Sequence, residues 1–290
     1  MNKKKVVLKS GVQIEGVKFD GETIDISEWI KAVTQWQSYL QQVNTVTEEV
    51  SVKISTKRPV WIVFLGDLHV GSIYTRYAAL YELLQKISKR RNIYLINCGD
   101  VVDNFLPNTH ASTGLLETVM PPSAQKLMVE KLFEICKTKW LAMTRGDHEN
   151  FSWLADDFDL AGYLAKKLNC ANLGWGGVLN VTVGQTKYEI CIRHRFRFNS
   201  SFNLTHTVKR LREMFHDFDI GVVAHGHQPT VEHMSMADKD RVFIRCGAAK
   251  ITDNYAQRLG FPPTKFYVPA VQLWPDKRKM HPVLNIADYL

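Results

Sequence analysis

Val60-Trp61-Ile62-Val63-Phe64-Leu65-Gly66-Asp67-Leu68-His69 is a short apolar run closed by a glycine, then an aspartate and a histidine one residue apart. So short a run, rich in β-branched and aromatic residues, reads as a buried strand. The same pattern recurs downstream. Residues 93–97 lead into Gly99-Asp100, residues 140–144 into Gly146-Asp147-His148, and residues 220–224 into His225-Gly226-His227. Between these runs, residues 76–89 and 123–137 carry helical spacing, so the chain is α/β from Pro59 onward. Ligands of open α/β sheets bind beyond the carboxyl ends of the strands, so these motifs are expected to converge on one rim.

The second half continues with a hairpin, 178–183 and 187–193, across Gly184-Gln185. A helix over 204–215 would place Leu204, Val208, Leu211 and Phe215 on one face, and strands are expected at 242–246 and 266–273. Residues 104–121, with Pro107, Gly114 and Pro121-Pro122, read as a long loop. Residues 1–57 read as an N-terminal appendage to a domain spanning 58–290. Its Asp25-Ile26-Ser27-Glu28 is a candidate capping box. Trp29, Val33, Trp36, Leu40 and Val43 then share one face of a helix, which either packs on the main domain or serves a protein partner or self-association. Residues 44–57 read as a linker or an edge strand.

Hard divalent cations take carboxylate oxygen and imidazole nitrogen, and two of them close together can clamp a phosphoryl group. The ordered set here offers Asp67, His69, Asp100, Asp147, His194, His225 and His227. Each motif alone is as ordinary as a turn; their order and their places at strand ends point to a metal site.

This ordered set resembles the calcineurin-like metallophosphoesterase superfamily, whose pattern runs D-x-H, G-D-x-x-D, G-N-H-[DE], a lone H, and G-H-x-H or a shortened form. The resemblance implies a four-layer α/β/β/α sandwich with two mixed sheets. It implies one metal held by Asp67, His69 and His227, a second by Asp147, His194 and His225, and Asp100 bridging them. It implies two divalent ions as cofactors, Mn2+ foremost, with Fe, Zn, Mg or Ni as alternatives. His148 would stand beside the phosphate as proton donor or charge stabiliser, and Asp103 would hydrogen-bond His148 and set its tautomer. The nucleophile would be a metal-bound hydroxide, with no covalent enzyme intermediate.

One position departs from that pattern: the usual Asn is Asp147 here. An aspartate keeps the oxygen ligand and adds a charge that binds the metal more tightly, damps its Lewis acidity and repels phosphate. Natural tolerance, a tuned low-activity site and an introduced substitution all remain open readings.

The chain has 290 residues, enough to bury a core without disulfides. Its five cysteines form no C-x-x-C pair, which excludes a cysteine-built zinc site and points to reduced thiols. Lys3–Lys5 are followed by no apolar signal-peptide core, and no run approaches the ~20 apolar residues of a membrane span. The expectation is a cytoplasmic protein with no membrane partner, from a bacterium or a phage-infected cell.

The net charge of +8 points weakly to polyanionic partners. After His194 the chain reads Arg195-Phe196-Arg197-Phe198; if extended, Arg193, Arg195 and Arg197 share one face and the phenylalanines the other. Basic and aromatic side chains interleaved suit a phosphodiester backbone with bases to stack upon, and equally a solvated face over a phenylalanine core. His110, in the long loop, is a candidate substrate contact. The leading expectation is a phosphodiesterase acting on DNA or RNA, nearest the DNA-repair and phage nuclease branch of the superfamily. The alternatives are a phosphatase for small nucleotides or phosphoproteins, and a catalytically weakened interaction module on the same fold.

Overall fold

The computed structural model describes residues 5–7, 13–15, 25–43, 46–106 and 112–290. His110 lies outside them. The chain forms two compact units, Met1–Thr45 and Val46–Leu290. The first holds strands β1 (Lys5–Val7) and β2 (Gln13–Glu15), paired antiparallel, and helix α1 (Ile26–Val43). The Asp25 carboxylate accepts the Ser27 N–H at 2.8 Å at the start of α1. The division falls after Thr45, not after residue 57 as expected. The reason is that β3 (Glu49–Ile54) is the edge-strand alternative, hydrogen-bonded in parallel along one of the large sheets.

In the second unit the order continues β4 (Val60–Leu65), α2 (Tyr77–Ser88), β5 (Ile93–Asn97), α3 (Pro122–Glu134) and β6 (Trp140–Met143). Next come α4 (Asp147–Asp156), α5 (Leu160–Leu168), β7 (Ala171–Asn172), β8 (Gly176–Val183), β9 (Thr186–Arg193) and α6 (His206–Met214). The chain ends with β10 (Ile220–Val223), β11 (Thr230–Ser235), β12 (Asp240–Arg245), α7 (Asn254–Arg258), β13 (Ala270–Leu273) and β14 (Met280–Val283). Two six-stranded sheets result, ordered β14-β13-β4-β5-β6-β7 and β11-β12-β10-β9-β8-β3. Both are mixed. β4 through β7 run parallel while β13 is antiparallel to β4 and to β14; β9, β10 and β12 run parallel, β8 is antiparallel to β9 and parallel to β3, and β11 is antiparallel to β12.

Three apolar cores separate four layers. Leu80, Leu84 and Ile87 of α2, Phe133 of α3 and Leu164 of α5 pack on Val63, Leu65 and Leu95 of the first sheet. That sheet's other face, through Ile62, Phe64 and Ile96, meets Ile190, Ile192, Val222 and Ile244 of the second. Val208 and Leu211 of α6 cover the second sheet's outer face at Cys191, Val223 and Phe243. Of the central strands, β4 and β10 carry no polar side chain because each has one of these cores on either side. This is the α/β/β/α sandwich expected. β1, β7, β11, β14, α4, α5 and α7 had no sequence expectation, and residues 266–269 lie outside β13. Among the described residues no helix is long and apolar enough to cross a membrane.

All five cysteines are free, and Cys170 alone is not fully buried. Burial pushes the Cys136 thiol up to about 11 and those of Cys170 and Cys191 up to about 12. The thiolate is the reacting form, so at pH 8 iodoacetamide should label these three positions more than about a hundredfold more slowly in the native protein than in urea. Peptide mass mapping reads this out; equal rates would contradict the packing described.

Candidate metal centre

Five of the motifs sit where the fold brings strand ends together. β4 delivers Asp67 and His69, β5 Asp100 and Asp103, β6 Asp147 and His148, β9 His194, and β10 His225 and His227. Asp67, His69, Asp100, His225 and His227 all have φ between 47° and 64°, in the left-handed region. Non-glycine residues there cost about 1–3 kcal/mol each and persist only where surrounding structure holds them. Here the backbone turns back at each of these positions, aiming consecutive side chains into one small volume.

Three groups of donor atoms result among the described residues, Asp67/His69/His227, Asp100/His194/His225 and His69/Asp103/His148, each with its atoms within 4.8 Å of one another; the first two are the triads that flank Asp100. Asp100 links them: its Oδ2 lies 3.1 Å from His194 Nε2 and 3.9 Å from His69 Nε2. His69 Nε2 and His227 Nε2 face each other at 3.0 Å, and Asp67 Oδ1 is 3.6 Å from His227 Nε2. The Asp67 carboxylate also accepts the His225 N–H at 3.0 Å, tying β4 to β10.

The donor set fits divalent cations on a specific ground. His194 Nδ1 is 2.9 Å from the Cys98 carbonyl, which can only accept, so the ring proton sits on Nδ1. A neutral ring would turn the Nε2 lone pair on Asp100 Oδ2, 3.1 Å away, so without a metal the pair favours the protonated ring. Burial opposes charge on this ring, but Asp100 outweighs it and pushes the His194 pKa up to about 10. Burial likewise opposes ionisation of Asp100, yet the histidines around it, His194 first, hold its carboxyl well below the usual range. The position between these two groups therefore favours positive charge. In the other triad, burial holds His227 down to about 3, and burial and Lys250 hold His69 well below its ordinary value. Both rings are neutral, the form that ligates metals.

His148 lies between the strand-end loops. Its N–H donates to Asp100 Oδ1 at 2.8 Å, and its ring stands edge-on to His69 with centroids 4.5 Å apart. Its Nδ1 meets the backbone carbonyl of Asp103, not the carboxylate expected from sequence. That carboxylate is turned to Lys250 Nζ at 3.1 Å and His69 Nδ1 at 3.2 Å. The Asp103 carboxylate thus lies beside His69 without a hydrogen bond to it, while its main chain meets His148 Nδ1. Lys250 is almost wholly buried and also pairs with Asp253 at 2.8 Å. Sequence reasoning missed it, because a lysine beyond the last strand-end motif has no spacing signal.

Glu149 was also missed as a contributor. It is 1% exposed, and its carboxylate accepts N–H groups from Gly146 at 2.6 Å, Asp100 at 2.9 Å and Val101 at 2.7 Å. The Gly146 contact is the reciprocal half of a capping box at the start of α4; the other two reach across to the β5 loop. These loops approach so closely that a Cβ on Gly146 would lie 2.2 Å from Asp100 Oδ1. Gly99 has φ +92°, and a Cβ there would lie 2.7 Å from His194 Nδ1.

Asp147 Oδ2 is 3.3 Å from His225 Nδ1 and 3.2 Å from Arg195 Nη1. The additional charge at this position thus faces a guanidinium, although Arg195 is 65% exposed and such a pair is weak in water. The extended alternation expected past His194 is broken. The strand ends at Arg193, whose guanidinium lies over Phe215 at 4.1 Å, and Phe198 turns left-handed at φ 69°. Arg193 therefore stands apart from Arg195 and Arg197. Arg197 and Arg210 instead flank the Phe198 ring at 5.2 and 5.1 Å. On α6, Lys209 and Arg210 are paired with Glu232 and Glu213.

The calcineurin-like phosphoesterase profile matches residues 60–246, and the chain belongs to that family. The family implies a phosphoester hydrolase dependent on divalent metals. No curated protein matches by sequence. Among solved structures, an uncharacterised protein from Streptococcus pneumoniae described as a predicted phosphoesterase is similar at 12% identity, over 79% of this chain and 91% of that one, with a TM-score of 0.39. Vps29 of Entamoeba histolytica, complexed with zinc, is similar at 13% identity, over 78% and 100%, with a TM-score of 0.37. The nuclease MPE of Pseudomonas putida is similar at 12% identity, over 77% and 87%, with a TM-score of 0.35.

Glu149→Gln replaces an acceptor oxygen with an NH2 group that opposes the backbone N–H donors. It should weaken Mn2+ binding about 10–100-fold, the usual effect of disturbing groups that hold metal ligands in place. Calorimetric titration measures this; an unchanged Kd would contradict the clamp.

Proposed function

We propose that the protein is a two-metal phosphodiesterase acting on nucleic acid, with Mn2+ as the working ion. The observation that carries the two-metal reading is the pair of donor triads facing one shared carboxylate, Asp100. Divalent ions there would polarise phosphoryl oxygens and lower the pKa of water. Asp67, His69 and His227 would hold one, and His194, His225 and Asp147 the other. His148, its Nδ1–H committed to the Asp103 carbonyl, leaves Nε2 as the atom that holds a proton for the leaving oxygen or meets its developing charge. Asp103, held by Lys250 and 3.2 Å from His69 Nδ1, would favour the ligating tautomer of His69 once a metal draws on Nε2.

The nucleic-acid reading is supported by the segment that leaves His194. Arg195, Arg197 and Phe198 are exposed directly beside the ligands, and Arg195 reaches Asp147. Guanidinium groups and an exposed ring adjoining a phosphoryl site suit a strand that continues past the scissile bond.

Mn2+-dependent cleavage of end-labelled single- and double-stranded DNA and of RNA tests the proposal. Asp100→Ala should lose both ions and all cleavage. His148→Ala should keep the ions and lose a factor of about 10²–10⁴ in turnover. Binding of the oligonucleotide should fall steeply as salt rises. Hydrolysis confined to mononucleotides and insensitive to salt would overturn the nucleic-acid reading.

A further inference from the structure

Arg245, the last residue of β12, is only 5% exposed. A buried guanidinium is ordinarily paired with a carboxylate and fully hydrogen-bonded. Arg241, four residues earlier on the same strand, follows that rule, binding both Asp217 and Asp238. Arg245 does not: among the described residues its side chain makes no hydrogen bond and no ion pair. Burial works against its charge, and Asp67 is the carboxylate that acts in the other direction. Asp67 itself is committed to the His225 N–H and the first triad.

The guanidinium lies directly against the backbone between the two ligating histidines. A Cβ on Gly226 would come within 1.7 Å of Arg245 Nη2, so any larger residue would displace the guanidinium from this place. From there Arg245 lines a cleft of about 230 Å³. Arg195, Arg197, Phe198 and His225 form other parts of its wall. The cleft thus begins at a ligand of the second triad and contains three guanidinium groups. Arg195 alone among them has a carboxylate partner, Asp147.

We propose that this cleft is a subsite for a second phosphate of the substrate, the one next to the scissile phosphate along a nucleic-acid strand, with Arg245 as its principal ligand. The planar fork of an arginine matches two phosphate oxygens, and the phosphate supplies the negative charge that the fold leaves Arg245 without. Arg197 closes the rim, and Phe198, already flanked by Arg197 and Arg210, offers a ring for the base. This deepens the nuclease reading and rests on it: it requires a substrate with at least two phosphates in sequence.

The test compares two substrates in Mn2+-loaded protein: bis(p-nitrophenyl) phosphate, with a single phosphate, and a thymidine tetranucleotide, with several. Wild type should prefer the tetranucleotide in kcat/KM. Arg245→Gln should lose that preference by about tenfold or more, chiefly through KM, as expected for one charge-assisted contact. Arg245→Lys should restore part of it, and Arg197→Ala, at an exposed position, should show a smaller loss in the same direction. Melting without substrate supplies a second readout. Removing an unpaired buried charge should leave the Tm of Arg245→Gln equal to or above wild type. A lowered Tm with equal losses on both substrates would mark a structural role and overturn the proposal, as would a preference unchanged in Arg245→Gln. A wild type that hydrolyses only the single-phosphate ester would refute the nucleic-acid reading, and the subsite with it.

Discussion

Buried negative charge at the seam between two sheets is the constraint around which the rest is arranged. Asp67, Asp100 and Asp103 are all withdrawn from water where the strand ends meet. An uncompensated buried carboxylate costs several kcal/mol, so each needs positive charge or hydrogen-bond donors nearby. Asp103 takes Lys250, Asp67 takes the main chain of His225, and Asp100 takes the main chain of His148 and faces two imidazoles. Glu149, equally buried, is satisfied by three backbone donors and binds the loops to one another. What the protein does not satisfy is the space between the imidazole lone pairs and Asp100, and divalent cations are the chemistry that fits there.

The same rim carries the unfavourable backbone. Left-handed φ at five ligand positions is held by the sandwich packed behind it, with apolar cores on both faces of the central strands. Rigid sheets thus support strained loops, and the strain sets the aim of the ligands. The two sides of the centre differ. The Asp67/His69/His227 side is braced by buried Lys250 and Asp103. The His194/His225 side opens to Arg195, Asp147 and the arginine-lined cleft.

Much of this was legible in the sequence because strand-end motifs combine a hydrophobic pattern with punctuation. The run 60–65, the strand 93–97 and the hairpin across Gly184-Gln185 fall where their apolar spacing puts them. Several elements were not legible, and for β11, β14, α4 and α5 the reason is local. β11 is an edge strand with polar, half-exposed residues, β14 contains Pro282, and α4 begins inside a ligand motif and has little apolar periodicity. α5 is short and follows it closely. The ligand set could be read because those residue types recur at strand ends. The groups that position the ligands could not. Lys250 and Arg245 come from β12 and its exit loop, and only folding brings them to the rim. The role of Asp103 divides between carboxylate and carbonyl, a distinction that spacing does not carry.

Counting bound Mn2+ is the most direct test of the centre. Metal-free protein titrated with Mn2+, followed by calorimetry and electron paramagnetic resonance, should bind two ions per chain with the exchange-coupled spectrum of a pair sharing a carboxylate bridge. One ion, none, or two ions without magnetic coupling would contradict a centre built on Asp100.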